Sequence, residues 1–150
     1  MKKNYTFNGY YNKIDLSDLD EEITFVEKGS PCGELLRRYW QPVILSEELG
    51  KLPKLVKILD EELVIFRDKS GQVGLLDKHC SHRGASLEYG IIADCGLICS
   101  YHGWHFDIDG TLLKAGSEPC KSPVHKRVKH GAYQTYEYEG IIFAYLGPPE

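Results

Sequence analysis

Two short segments govern what this chain can become: Cys80-Ser81-His82 and Cys99-Ser100-Tyr101-His102, with sixteen residues between His82 and Cys99. Each offers one thiolate and one imidazole, cysteine first. A fold that serves them must bring two separate loops to one place and hold both there. A mixed-ligand [2Fe–2S] centre asks for this donor set, with two thiolates on one iron and two imidazoles on the other. Two loops that each supply one of each span both irons. Charge explains the imidazoles. Two ferric ions and two sulfides carry two net positive charges, so two thiolates leave the oxidised cluster neutral, whereas four would leave it doubly negative. The neutral cluster accepts an electron more readily, which raises its potential above that of an all-cysteine centre.

Cys2His2 is also a zinc ligand set, so a structural zinc domain is the alternative outside redox chemistry. Zinc sites usually pair like with like on each loop, as C-x2-4-C and H-x3-5-H, and here both pairs are mixed. The neighbouring residues favour iron and sulfide further. Arg83 and Gly84 follow the first pair, and Gly103 and Trp104 follow the second. Glycine beside a ligand lets backbone N–H groups approach the sulfurs without a Cβ clash. Arg83, Gly84, Gly103 and Trp104 are therefore expected to surround the four ligands Cys80, His82, Cys99 and His102. Trp104 and Phe106 fit a cover over the cluster and, equally, core aromatics at period two.

The strings C-S-H-R-G-A-S-L (residues 80–87) and C-S-Y-H-G-W-H-F-D (residues 99–107) resemble the cluster segments of the Rieske non-haem iron ring-hydroxylating oxygenases. The resemblance extends to G-E-L-L-R-R-Y-W-Q-P at 33–42, A-Y-Q-T at 132–135 and Y-L-G-P at 145–148, so it covers about residues 24 to 149. The chain looks most similar to oxygenase components of the phthalate dioxygenase type. That resemblance implies one-electron transfer through a Rieske [2Fe–2S] cluster and a role in aromatic hydrocarbon catabolism. Electrons would arrive from a flavin or ferredoxin-type reductase and pass to a mononuclear iron in a larger catalytic domain, one expected to begin where this chain stops at Glu150. It also implies a homotrimer in a full-length oxygenase. An independent Rieske ferredoxin-type carrier is the alternative within redox chemistry.

The high-potential Rieske proteins of respiratory and photosynthetic complexes share the ligands but add a disulfide between the loops and two hydroxyls near the sulfurs. The matching positions here are Ala85 and Tyr101 for the cysteines, and Trp104 and Phe106 for the hydroxyls.

The family's mononuclear iron sits in a D-x2-H-x4-H pattern plus a later carboxylate. His125 and His130 have the x4 spacing, yet Ser122 stands where the acid belongs, and Pro119 and Pro123 argue against a helix there. The basic run from Lys121 to Lys129 also disfavours a second cation. His79 and His105 flank ligands and are expected to play supporting or surface roles.

A net charge of −4 argues against nucleic acid or an anionic membrane as the main partner. No run of eighteen apolar residues and no signal-like start is present, so a cytoplasmic protein is expected. Cys32, Cys95 and Cys120 read as free thiols of a reducing compartment.

Residues 1–22 are polar and acidic, with Asp15 and Asp18 among them, and read as an N-terminal extension with at most one helical turn; residues 23–150 read as one domain. Ser30 and Pro31 predict a capped helix over about 32–40. Strands are expected at 55–59, 62–67, 72–76, 97–100, 104–108, 111–114, 132–138 and 141–146, with hairpin turns at Asp109-Gly110 and Glu139-Gly140. Strands at this spacing predict an all-β class: a Rieske-type antiparallel sandwich or barrel with the ligand loops as hairpin tips at one end and a short N-terminal helix. No internal repeat is evident.

Overall fold

Along 63–66 the chain reads Leu-Val-Ile-Phe, and all four side chains are fully buried. Leu63 and Ile65 point into one apolar cluster, and Val64 and Phe66 into another. A strand covered on both faces needs a continuous apolar run rather than alternation, so this segment sits between two cores. The second core contains the cysteines of both ligand segments.

The computed structural model of the protein describes residues 20–116, 118–119 and 122–148. Its helices are α1 (Glu21–Thr24), α2 (Pro31–Leu36) and α3 (Val124–Arg127). The strands are β1 (Gln41–Leu45), β2 (Lys54–Ile58), β3 (Glu61–Arg67), β4 (Val73–Asp77), β5 (Ile91–Ile92), β6 (Leu97–Ile98), β7 (His105–Phe106), β8 (Leu112–Lys114), β9 (Ala132–Tyr138) and β10 (Ile141–Tyr145). One sheet runs β1-β10-β9-β4-β3-β2 and the other β5-β6-β7-β8, with neighbouring strands antiparallel. Edge strands β1 and β2 approach each other, so the larger sheet nearly closes. The all-β class holds, with few and short helices.

Two tight turns set the register of the large sheet. Glu139-Gly140 joins β9 to β10 as expected, with Tyr138 opposite Ile141 and positive φ at both turn residues. Leu59-Asp60 joins β2 to β3 in the same geometry, φ 45° and 67°, without a glycine. Arg37, at the end of α2, helps hold that turn: its Nη2 donates to the Leu59 carbonyl at 2.9 Å, and its Nη1 pairs with Glu61. Tyr133 donates its hydroxyl to the same Glu61 carboxylate, and burial followed by that carboxylate raises the phenol's pKa. The G-E-L-L-R-R segment is thereby tied to the sheet.

Several boundaries differ from those expected. The helix predicted over 32–40 ends at Leu36, where Gln41 Nε2 donates to the Leu36 carbonyl at 2.8 Å and Pro42 favours an extended Gln41. Ser30 caps it and Pro31 opens it, as anticipated. A one-turn helix, α3, forms directly after Pro123 despite the two prolines, since proline is tolerated at a helix start. Strands β1 and β5 were not foreseen. The strands around the second ligand segment shrink to two or three residues each. Of the 1–22 extension, residues 1–19, with Asp15 and Asp18, lie outside the described residues, as does Cys120. Its last residues enter α1, capped by Asp20 Oδ1 on the Glu22 N–H at 3.0 Å.

Candidate functional site

The two ligand segments fold alike. In the first, the Cys80 N–H donates to the Ala85 carbonyl at 2.9 Å and the Gly84 N–H to the Cys80 carbonyl at 2.8 Å. In the second, the Cys99 N–H donates to Trp104 at 2.7 Å and the Gly103 N–H to Cys99 at 3.0 Å. The fifth residue of each loop is a glycine at φ 71° (Gly84) or 68° (Gly103), a left-handed conformation that a side chain would strain. The shared pattern is Cys-Ser-x-x-Gly, a repeat too short to stand out along the whole chain and one the sequence reading passed over. The histidine occupies the third place in the first loop and the fourth in the second.

The loops are held differently. The second is a true hairpin tip, closed by the β6–β7 ladder, where Ile98 faces His105 and Leu97 faces Phe106. The first leaves β4 and is closed by a single bridge between His79 and Ser86. His79 Nδ1 donates to the Gly84 carbonyl at 3.0 Å, and His105 Nε2 donates to the Cys95 carbonyl. Both histidines thus support the loops. The 93–96 segment leading into β6 is fastened to the β3–β4 turn by buried Asp68. That carboxylate accepts from Ser70 Oγ at 2.7 Å, the Gln72 N–H at 2.9 Å and the Gly96 N–H at 3.1 Å. Burial opposes its ionisation, but these bonds outweigh it and hold the pKa below the ordinary carboxylate value.

Cys80 and Cys99 are 3% and 2% exposed, inside the core with Leu87, Leu97, Trp104 and Phe106. Burial, then the neighbouring Cys99, pushes the Cys80 thiol up to about 11, with the His82 and Arg83 N–H groups opposing the shift. His82 and His102 meet edge to face at 4.8 Å between ring centroids. His82 lies against the Trp104 indole, and Tyr101 covers His102 at 3.8 Å while itself 64% exposed. Burial, then the charges of His102 and Arg83, lowers the pKa of His82. The Arg83 side chain is exposed and acts on His82 through its charge.

The donors therefore sort into a thiol pair and an imidazole pair. Among the described residues no three Cys, His, Asp or Glu side chains gather around one point, as a tetrahedral zinc site requires. His82 Nδ1 is buried and has no hydrogen-bond partner. A buried unpaired nitrogen is costly, and a metal ligand role satisfies it. Two buried thiols, two adjoining imidazoles and two glycine-turned loops fit a two-iron, two-sulfide group.

His125 and His130 do not form a second centre. His125 sits in α3. His130 is 3% exposed, and both its ring nitrogens are engaged, Nδ1 with Ser81 Oγ at 2.6 Å and Nε2 with the Asp77 carbonyl at 3.0 Å. The contact with Ser81 was not foreseen; a histidine forty-nine residues downstream leaves no spacing signal.

Over residues 39–136 the chain matches the profile of the family described as Rieske [2Fe-2S] domain. It is 53% identical over 129 residues to the tert-butanol monooxygenase / tert-amyl alcohol desaturase oxygenase subunit of Aquincola tertiaricarbonis, covering 86% of this chain and 27% of that protein. Identity to the phenoxybenzoate dioxygenase subunit alpha of Ectopseudomonas oleovorans is 48%, covering 87% and 32%. Identity to the phthalate 4,5-dioxygenase oxygenase subunit of Pseudomonas putida is 44%, covering 83% and 29%. The chain thus spans 27% to 32% of the length of these relatives. Among solved structures it is similar to dicamba monooxygenase, with a TM-score of 0.68 and 31% identity over 75% of this chain and 35% of that one. It is also similar to the reduced complex between oxygenase and ferredoxin in carbazole 1,9a-dioxygenase, with a TM-score of 0.66 and 32% identity over 76% and 30%. No helix among the described residues is long and apolar enough to cross a membrane.

Proposed function

The chain belongs to the Rieske [2Fe-2S] domain family, and from that premise we propose that Cys80 and Cys99 hold one iron of the cluster and His82 and His102 the other. The observation that carries this assignment is the sorting of donors, with both thiols buried in one apolar cluster and the two imidazoles edge to face, across two loops of one design. When bound, the cluster supplies one-electron redox chemistry.

The chain's own residues do the rest. Burial of the thiol side among Leu87, Leu97 and Phe106 keeps water from the sulfurs. Loading displaces the thiol protons, since thiolates are the ligands. The imidazole side faces outward, with half-buried His102 under exposed Tyr101, and serves as the edge where electrons enter and leave. Trp104 holds the ring of His82 in place.

The domain acts as the electron-entry unit of an aromatic-ring-hydroxylating oxygenase of the phthalate 4,5-dioxygenase type. It receives electrons from a flavin or ferredoxin-type reductase in the cytoplasm and passes them to a mononuclear non-haem iron in a further domain, within a homotrimer. Oxygenase subunits among its relatives and an oxygenase–ferredoxin complex among similar structures support this reading.

Ligand substitution tests it. Cys80→Ser and Cys99→Ser each abolish cluster binding. His82→Cys, where the cluster survives, lowers the midpoint potential by adding negative charge. Retention of the cluster in either serine variant contradicts the assignment.

A further inference from the structure

The first ligand loop has weaker closure than the second, and one side chain outside both loops compensates. His130 is 3% exposed and stands just before β9. Its Nε2 lies 3.0 Å from the Asp77 carbonyl, which can only accept, so Nε2 carries the ring proton. Nδ1 is then the acceptor for the Ser81 hydroxyl at 2.6 Å. Ser81 is the residue between the ligands Cys80 and His82.

The same histidine is fixed to the hairpin that follows the second loop. Its ring stacks on Phe106 of β7 at 4.6 Å and 28° between planes. Its N–H donates to the Gly110 carbonyl at 2.8 Å, in the β7–β8 turn. Gly110 packs so closely that a Cβ there would lie 2.0 Å from the His130 carbonyl oxygen. Thr111 and Lys129 form a bridge alongside. Next to it, the Asp77 N–H donates to the Gly131 carbonyl at 2.9 Å. The 129–131 segment therefore touches the root of the first loop, its middle, and the hairpin of the second.

We propose that His130 is a positioning residue for the cluster: through Ser81 it fixes the first ligand loop at a set distance from the second. The inference rests on the ligand assignment above. A histidine buried only for packing needs no side-chain partner inside a ligand loop. Moreover, the matching serine of the second loop, Ser100, makes no side-chain hydrogen bond among the described residues. That loop is closed by the β6–β7 ladder, whereas the strand pairing that closes the first is, among the described residues, the single His79–Ser86 bridge, with His79 Nδ1 on the Gly84 carbonyl beside it. The tie falls on the loop with the shorter strand pairing.

The test compares Ser81→Ala, Ser81→Thr, His130→Phe and the Ser81→Ala/His130→Phe double variant with the wild type, each purified with its cluster. The readouts are the rate of cluster loss to a chelator, the EPR g-values of the reduced cluster and the thermal midpoint of the fold. Ser81→Ala is expected to lose its cluster about fivefold faster, as for one net hydrogen bond, and to show shifted g-values, which a lower midpoint of the fold alone would not produce; the midpoint itself falls modestly because His130 Nδ1 loses its partner. Threonine keeps the hydroxyl and restores wild-type behaviour. His130→Phe keeps the ring on Phe106, and the double variant should be no worse than His130→Phe, because both substitutions remove one contact. Wild-type g-values and loss rate in Ser81→Ala, or additive effects in the double variant, overturn the proposal. Should His130→Phe not fold, the alanine–threonine comparison at Ser81 decides alone. A wild-type chain without a two-iron cluster would instead overturn the ligand assignment, which keeps the two failures apart.

Discussion

The Trp104 indole lies parallel to the His82 imidazole, with ring centroids 4.6 Å apart and 6° between planes. It does so while 4% exposed, as part of the core that also holds Cys80 and Cys99. One residue of the second loop thus packs against a proposed ligand of the first. Trp104→Phe should retain the cluster with a smaller stacking partner for His82. Trp104→Ala should cost about 3–5 kcal/mol of stability through the cavity it leaves, and should also broaden the EPR features of the histidine-ligated iron. Urea unfolding and EPR on the same samples check both. A stable alanine variant with unaltered spectra would show that the stack has no role.

Burial lowers the pKa of His130, and the opposing influence of Asp77 is smaller. In the unfolded chain the imidazole returns to its ordinary value of 6.5. Below that pH the unfolded state binds a proton that the folded state resists, so stability falls as pH drops from 6.5 toward the lower folded value. Above 6.5 the histidine makes stability independent of pH. Urea midpoints measured from pH 7.5 down to 5 should fall more steeply for the wild type than for His130→Phe. Parallel profiles would show that His130 is readily protonated in the folded protein.

Much of the candidate site is legible in the sequence, because ligand chemistry leaves a local signature. The proposed ligands Cys80, His82, Cys99 and His102 are marked by residue type and order, and Gly84 and Gly103 by the turns that their positive φ serves. The β9–β10 hairpin was equally legible from Glu139-Gly140 and the alternation around it. What escaped was non-local. Strand β1 contains Pro42 and is defined by pairing with β10 a hundred residues away, which no short pattern reports. The Ser81–His130 contact spans forty-nine residues. The helix predicted to reach residue 40 is cut short by a side chain, Gln41, that takes over the Leu36 carbonyl. The one-turn helix after Pro123 runs against the expectation drawn from Pro119 and Pro123, because proline at that place starts a helix and does not break one.

The midpoint potential follows from what surrounds the sulfurs. Hydrogen bonds from hydroxyls withdraw electron density and favour the reduced cluster. The two places where high-potential Rieske proteins carry hydroxyls are filled here by Trp104 and Phe106, the first stacked on His82 and the second on His130. Neither offers an O–H. Ala85 and Tyr101 leave no disulfide between the loops. The midpoint is therefore expected near the lower end of the Rieske span of roughly −150 to +300 mV, within reach of a flavin or ferredoxin-type reductase. Protein-film voltammetry at neutral pH measures it. A value well above zero would place the chain with the high-potential carriers and remove the hydroxyl argument.

The central claim is that the four donors share two irons and do not surround one metal. Iron and acid-labile sulfide, quantified per chain on freshly purified protein alongside its visible spectrum, test this most directly. The account predicts two irons, two sulfides and a coloured protein, with all three lost together in Cys80→Ser. One metal per chain, colourless and without labile sulfide, would contradict it and return the Cys2His2 set to structural zinc.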